Sequence, residues 1–414
     1  MSEACKVEPD STPQAAAAPG PMTWVAVVAL VYLLLIGVGV IGDGFRWVSG
    51  GDEGAARIFA FARSPVIGVI LGILATALVQ SSSTVTSVIV GLVAGGVPVS
   101  IAVPMIMGAN MGTTITNTIV SLGALRERDT FNRCFQAATV HDFFNLYSIL
   151  IFLPIEVMFH PLERMAGNMS HWFAGGSGAA VKELNFLGAI TKPVSGLVID
   201  LFERVPALGG YLAIAAGIGM VIASVLYLGR LLRSAMTAQA KGIVQLAIGR
   251  HPMAGVASGT AITVLVQSSS TTTSLVVPLA GAGILSTKQV FPFTMGANIG
   301  TCITALLAAT AVYGDKQQLA LQIALVHLMY NVFGVIVFLT VPWLRDRPIR
   351  SAEWLGNRTE RNRVWAFGYV FTVFFVVPGL VLGGEILLSQ EPAVPVSDVS
   401  ETAKEVEEAG LRIE

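Results

Sequence analysis

Two runs of small polar residues lie within apolar sequence and have the chemistry of an ion site. The first, QSSSTVTS, covers residues 80–87, and the second, QSSSTTTS, covers residues 267–274. Ser and Thr hydroxyls donate and accept hydrogen bonds, and Gln adds a carbonyl and an amide. A helix that starts at such a run presents free N–H groups to an oxyanion, and a helix that ends there presents free carbonyls to Na⁺. Neither run contains Lys or Arg, so we expect an uncharged pocket.

A second pair of motifs places amides and hydroxyls in apolar segments. The sequence PMIMGANMGTTIT (104–116) returns as PFTMGANIGTCIT (292–304). The Gly-x-x-x-Gly spacing in each copy allows close helix packing, which accounts for the glycines. It does not account for the polar side chains, which we interpret as cation or substrate ligands. They are Asn110, Asn298, Thr113, Thr116, Thr301 and Thr304.

A third pair carries the single carboxylate of these motifs. QAATVHDFFN (136–145) returns as QIALVHLMYN (322–331). An ionisable residue inside a crossing helix is by default functional, so Asp142 is a candidate Na⁺ ligand. Leu328 takes its place in the second copy. His141 and His327 occur in both copies, and we expect them to have a hydrogen-bonded structural role.

The three pairs show that the chain repeats one unit. They recur in the same order, and the second copies follow the first by 187, 188 and 186 residues. The repeated units are assigned to residues 60–157 and 250–345.

Composition indicates an integral membrane protein. Of 414 residues, 54% are hydrophobic and 12% charged, whereas soluble domains carry about 25% charged residues. The net charge of −1 indicates no general attraction to nucleic acid. A crossing helix needs about 20 apolar residues, and nine segments qualify, two of them interrupted by the serine runs. The nine are 23–41, 64–97 (interrupted), 99–124, 134–157, 209–229, 253–284 (interrupted), 289–312, 319–344 and 364–388.

Each arm of an interrupted segment is too short to cross a bilayer, which favours a re-entrant hairpin with a polar tip. If the N-terminus lies inside, counting crossings makes the two units inverted. The predicted inside stretches hold 13 Lys and Arg in 48 positions and the outside stretches 8 in 77, which has the expected sign. The count leaves the C-terminus outside unless Pro378-Gly379 breaks the last helix.

The predicted fold is an all-α integral membrane protein. It has two inverted repeats, each with a re-entrant helical hairpin and two crossing helices, plus flanking and linking transmembrane helices. The predicted organisation is a disordered tail (1–22), a transmembrane helix (23–43), repeat one (60–157), an extracytoplasmic loop (158–208), a linking helix (209–234), repeat two (250–345), an amphipathic segment with a last transmembrane segment (346–388) and a polar tail (389–414).

On the paired QSSS runs, the paired GAN-x-GT runs and VHDFFN, the chain resembles the type II sodium–phosphate cotransporters over about residues 60–345. The resemblance implies sodium-driven symport of inorganic phosphate by alternating access across the cytoplasmic membrane, with Na⁺ as coupling ion. It also implies that Gln267, Ser268 and Thr304 match a sodium site, and that Asp142 matches the aspartate tied to an extra Na⁺ in electrogenic members. The compact stretch 159–208 is similar to that of bacterial relatives.

The expected ligands fall into two overlapping groups. We expect phosphate at Gln80, Ser81, Ser82, Ser83, Gln267, Ser268, Ser269, Ser270, Asn110 and Asn298. We expect Na⁺ at Thr84, Thr113, Thr116, Asp142, Gln267, Ser268, Thr271, Thr301 and Thr304.

Two other functions are weighed against phosphate symport, and the first of them remains open. The chain is alternatively a carrier or channel for another small anion or a monovalent cation. A serine hydrolase is disfavoured because no G-x-S-x-G elbow is present, and we expect neither an enzyme nor a cofactor or transition metal.

Overall fold

The computed structural model describes residues 20–175, 179–205, 207–247 and 251–388, and all regular structure within them is helical. The predicted all-α class is therefore confirmed. The predicted tails fall outside the described residues, except that the first helix already begins at Pro21. The helices are α1 (Pro21–Ser49), α2 (Asp52–Ile58), α3 (Pro65–Val79), α4 (Ser82–Ala94), α5 (Val99–Thr113), α6 (Ile115–Leu122), α7 (Arg128–Phe159), α8 (Pro161–Gly175), α9 (Ala179–Glu203), α10 (Gly209–Ala247), α11 (Pro252–Val266), α12 (Ser269–Gly281), α13 (Thr287–Ala309), α14 (Gln317–Thr340), α15 (Pro342–Arg361), α16 (Val364–Phe371) and α17 (Val377–Leu388).

Seven stretches of the described chain are long and apolar enough to cross a membrane. They coincide with the seven uninterrupted segments predicted from the sequence. The two interrupted segments are the helix pairs α3/α4 and α11/α12, each with arms of 15 and 13 residues. At 1.5 Å per residue such arms reach about 20–23 Å, less than the roughly 30 Å of a hydrocarbon core. The seven are Pro21–Ser49, Val99–Leu122, Arg128–Phe159, Gly209–Arg233, Thr287–Ala309, Gln317–Thr340 and Val364–Glu385.

Each serine run breaks its helix in the same way. Gln80 and Gln267 end α3 and α11 in the left-handed conformation, with φ of 58° and 54°. The next residue caps the following helix: the Ser81 hydroxyl accepts the N–H of Thr84 at 3.3 Å, and the Ser268 hydroxyl accepts that of Thr271 at 3.2 Å. A left-handed C-cap followed by a serine N-cap stops one helix and starts another within two residues.

Glycines set the packing of each short pair on its neighbour. A Cβ on Gly108 of α5 would lie 1.9 Å from the carbonyl oxygen of Val69 in α3. A Cβ on Gly296 of α13 would lie 2.0 Å from the carbonyl oxygen of Val256 in α11. Only glycine permits this approach, so the packing role expected from the Gly-x-x-x-Gly spacing holds in both copies.

The stretch predicted as a loop at 158–208 contains helices α8 and α9. The Glu156 carboxylate at the end of α7 accepts the N–H groups of Leu162 and Glu163 at 2.8 and 3.0 Å and starts α8 directly. Leu162 and Ala166 are then buried, and α8 packs on α14. The described part of this stretch is therefore helical, and neither α8 nor α9 is among the seven stretches that could cross a membrane. Its extracytoplasmic position stays a prediction.

The last segment is not broken at Pro378. A π-helical turn, Thr372–Val376, precedes it, and α17 continues from Val377. The wider turn shifts the hydrogen-bond register ahead of the proline, which has no N–H to donate. The predicted amphipathic segment is helix α15, which packs on α7.

Candidate ion and substrate site

The two serine tips line one cavity of about 470 Å³. All eight tip residues expected to bind phosphate, at 80–83 and 267–270, are on its wall, although 187 residues separate the runs. Thr116, Thr271 and Ser274 extend the hydroxyl-rich surface. Helices α4 and α12 both begin at the cavity, so the positive ends of two helix dipoles meet there.

The tip glutamines are held by threonines of the crossing helices. The Thr116 hydroxyl donates to Oε1 of Gln80 at 2.8 Å, and the Thr304 hydroxyl donates to Oε1 of Gln267 at 2.9 Å. Three expected Na⁺ ligands, Thr116, Gln267 and Thr304, thus lie at tip junctions. The hydroxyl oxygens that donate these bonds keep lone pairs with which to bind a cation.

The other expected threonine ligands bond within their own helices. Thr84 and Thr271 donate to the capping serines Ser81 and Ser268 at 2.9 and 3.0 Å. Thr113 and Thr301 donate to the carbonyls four residues earlier, both at 3.1 Å. Of these four threonines, Thr271 alone is on the cavity wall within the described chain.

The GAN asparagines form a reciprocal network between the repeats. Asn110 of α5 donates to Oδ1 of Asn331 in α14 at 2.8 Å. Asn298 of α13 donates to Oδ1 of Asn145 in α7, also at 2.8 Å. The side chain of each asparagine therefore bonds to the VH helix of the opposite repeat. In repeat one the backbone carbonyl of Asn110 also accepts the Asn145 amide of its own VH helix at 3.0 Å.

The histidines complete the same pattern. His327 Nε2 lies 3.1 Å from Oδ1 of Asn110, and His141 Nε2 lies 2.8 Å from Oδ1 of Asn298. Both asparagines and both histidines are buried, and the cavity wall described above does not include them. Asn110 and Asn298, expected as phosphate ligands, thus join the two repeats and are not on the described cavity wall. The histidines are hydrogen-bonded, as expected of them.

Asp142 lies in a buried polar cluster on the side of repeat one. Its Oδ2 accepts hydrogen bonds from Thr118 at 3.1 Å and from Tyr369 of α16 at 3.0 Å. Its Oδ1 is buried and has no hydrogen-bond partner within the described part of the chain. A carboxylate oxygen left in this way keeps lone pairs with which to bind a cation.

Asn117 joins this cluster to the second serine run. Its Oδ1 accepts the hydroxyl of Thr273 at 2.7 Å, and its Nδ2 lies 3.5 Å from Nδ1 of His141. Repeat two has Ala305 at the matching position, and His327 Nδ1 is without a partner among the described residues. The polar cluster around Asp142 therefore exists on one side of the paired repeats.

Sequence reasoning missed Asn117, Thr118, Tyr369 and Arg233. The first two directly follow the GAN motif and are matched by Ala305 and Leu306, an asymmetry that is visible in the sequence. Nothing in the sequence links Tyr369 to Asp142, because α16 lies outside both repeats. Arg233, within the linking helix α10, corrects the expectation of an uncharged pocket, since it lines the cavity and donates to the Thr271 hydroxyl.

Comparison with known proteins agrees with these motifs. The chain matches the family described as Na⁺/Pi-cotransporter over residues 33–173 and 220–352. It is 33% identical to sodium-dependent phosphate transport protein 2A of Rattus norvegicus over 429 residues, which cover 86% of this chain and 67% of that protein. It is 30% identical to the 2B protein of Homo sapiens over 450 residues, which cover 87% and 64% respectively. The chain thus spans about two thirds of the length of these relatives, and no solved structure matches it significantly.

Proposed function

Because the chain belongs to the Na⁺/Pi-cotransporter family, we propose that it carries inorganic phosphate together with Na⁺ across a membrane. The observation that supports this most directly is the joining of both serine tips in one hydroxyl-rich cavity between apolar helices. The family consists of cotransporters, in keeping with the expectation that the chain is not an enzyme. We place the protein in the cytoplasmic membrane as a multi-pass protein.

Phosphate binds in this proposal between residues 80–83 and 267–270. The starts of α4 and α12 supply N–H groups and positive dipole ends, and the serine hydroxyls donate further hydrogen bonds. Sodium binds where Gln267 and Thr304 place amide and hydroxyl oxygens at the same tip. A cation beside the anion lowers the cost of holding either charge within apolar surroundings.

A further Na⁺ is proposed at Asp142. The carboxylate has two donors on Oδ2 and none on Oδ1, which leaves one oxygen for a cation. Asn117 accepts a hydrogen bond from Thr273 on α12. A cation bound at Asp142 is therefore linked through Asn117 to the helix that carries the second tip. The matching positions in repeat two, Ala305 and Leu328, have no oxygen in their side chains, which limits the proposal to one such site.

Transport proceeds in this proposal by alternating access of two inverted repeats. Support comes from the matched contacts: each GAN asparagine bonds the VH helix of the other repeat at closely similar distances. Paired short helices that meet at one site are typical of inverted-repeat transporters with a site near the bilayer midplane. The arms of α3/α4 and α11/α12 act as re-entrant hairpins from opposite sides.

Uptake of radiolabelled phosphate into proteoliposomes tests the proposal. We expect uptake driven by an inward Na⁺ gradient, and none when choline replaces Na⁺. Sodium-independent uptake would replace symport by a channel or uniport. Absence of phosphate uptake, with sodium-driven uptake of sulfate or arsenate instead, would transfer the function to another oxyanion, which is the alternative left open by the sequence.

A further inference from the structure

The cavity contains a charged side chain that neither repeat supplies. Helix α10 lines it with Val225, Leu226, Gly229 and Arg233. These positions are spaced by about four residues, so they form one stripe on the face of α10 that looks onto the cavity. Among the described residues of the cavity wall, Arg233 is the one with a charge.

We propose that Arg233 is a specificity-determining residue that binds an oxygen of the transported oxyanion and selects for its charge. The inference deepens the proposed function and rests on it. A guanidinium stays protonated at every physiological pH and offers five N–H donors in a planar fork that fits phosphate. None of the other described wall residues can supply a permanent positive charge.

The contact with Thr271 places the guanidinium at the second tip. Arg233 donates to the Thr271 hydroxyl, which in turn donates to the hydroxyl of Ser268 at 3.0 Å. Ser268 caps α12 and Ser269 is its first residue, so a guanidinium engaged there lies at the anion position proposed above. An anionic oxygen is a stronger acceptor than a neutral hydroxyl, and bonds to it are roughly twice as strong. Phosphate therefore competes with Thr271 for the same donor.

The surroundings leave space for this exchange. Arg233 is exposed, and Gly229, one turn earlier on the same stripe, has no side chain; a Cβ built there would have as its nearest neighbour the carbonyl oxygen of Val266 at 3.8 Å. Thr84, the repeat-one counterpart of Thr271, is buried and bonds to Ser81. A positive charge is thus present at the second tip alone among the described wall residues, and the linking helix α10 supplies it.

The selection follows from the charge of the ligand. Dibasic phosphate carries one more negative charge than monobasic phosphate, so a fixed cation at the cavity stabilises the dianion more. We expect Arg233→Gln to raise the KM for phosphate by roughly tenfold to a hundredfold with a smaller change in kcat. We also expect wild-type uptake to rise with pH through the second ionisation of phosphate, Arg233→Gln to lose this rise, and Arg233→Lys to keep part of both the affinity and the pH dependence.

Arg230→Gln is the matched control. Arg230 lies one turn earlier on α10, is exposed, stacks over the Tyr227 ring at 5.4 Å and is not on the described cavity wall. The Arg230→Gln substitution removes an equal charge from the same region of α10, so the KM and pH profile of this variant should match the wild type. Equal effects of the two substitutions would mean a general surface potential and would overturn the assignment.

A binding measurement separates this inference from the proposed function. Thermal stabilisation of the purified protein in detergent is measured with phosphate, arsenate and sulfate, in the presence of Na⁺. If the wild type fails to take up phosphate but an oxyanion stabilises it and Arg233→Gln abolishes that effect, the proposed function fails and the role of Arg233 stands. If Arg233→Gln takes up phosphate with unchanged KM and pH profile, the role fails and the proposed function stands. A wild type that neither transports nor binds any of the three overturns both.

Discussion

Because the asparagine network is reciprocal, we predict that alanine substitution of either GAN asparagine lowers the free energy of unfolding by a similar amount. Asn298→Ala removes the acceptor of His141 and the donor to Asn145, at 2.8 Å each. Asn110→Ala removes the acceptor of His327 and the donor to Asn331, at 3.1 and 2.8 Å. All six side chains are buried, at 3% exposure or less, so water does not replace the lost partners.

The magnitude follows from the two bonds that each substitution removes. Hydrogen bonds between transmembrane helices are worth about 0.6 kcal/mol on average and up to about 1.7 kcal/mol. A buried polar group left unpaired costs about 1–3 kcal/mol. Two stranded partners per variant give an expected loss of about 2–3 kcal/mol, the same for both within about 0.5 kcal/mol.

The free energy of unfolding is measured in mixed micelles with a rising fraction of SDS, without phosphate or Na⁺ so that ligand binding does not contribute. Thr301→Val is the control, because that buried hydroxyl donates to Ala297 O of its own helix; we expect it to cost less than about 0.5 kcal/mol. The reasoning is refuted if either alanine variant has the same free energy of unfolding as the wild type, or if the losses of the two variants differ by more than about 1 kcal/mol.

Three further predictions test other parts of the structure. Ser82→Ala and Ser269→Ala each remove a buried hydroxyl from the cavity wall and should raise the KM for phosphate in the uptake assay by about threefold to tenfold; an unchanged KM in both would remove the tips from the phosphate site. Asp142→Gly should reduce the charge moved per phosphate, and phosphate-evoked currents equal to those of the wild type would argue against a Na⁺ at that carboxylate. Gly296→Ala places a methyl group 2.0 Å from Val256 O and should cost about 1–3 kcal/mol of stability, whereas Gly219→Ala on α10, with no atom nearby, should unfold with the wild type.

Much of the architecture could be predicted because the sequence carries it locally. Helix length and apolarity depend on residues next to each other in the chain, so the sequence predicts the seven long segments. The break at Gln80-Ser81 and Gln267-Ser268 is also local, since a left-handed cap and a serine N-cap act within one turn. The duplication needed no structure, because the three motifs recur in order.

The hydrogen-bond partners of the polar residues in the repeated motifs depend on the packing of the helices. No pattern in the sequence shows that Asn110 bonds to residues 217 and 221 positions away in the other repeat, or that Tyr369 reaches Asp142. The helical start of α8 is not evident in the sequence, because it depends on the Glu156 carboxylate and on docking against α14. Arg233 belongs to neither repeat, so its charge enters the cavity only once α10 is packed beside the tips. The helices and their breaks at the serine runs follow from interactions within a turn of helix. The contacts of the site arise from packing between helices that are far apart in the chain.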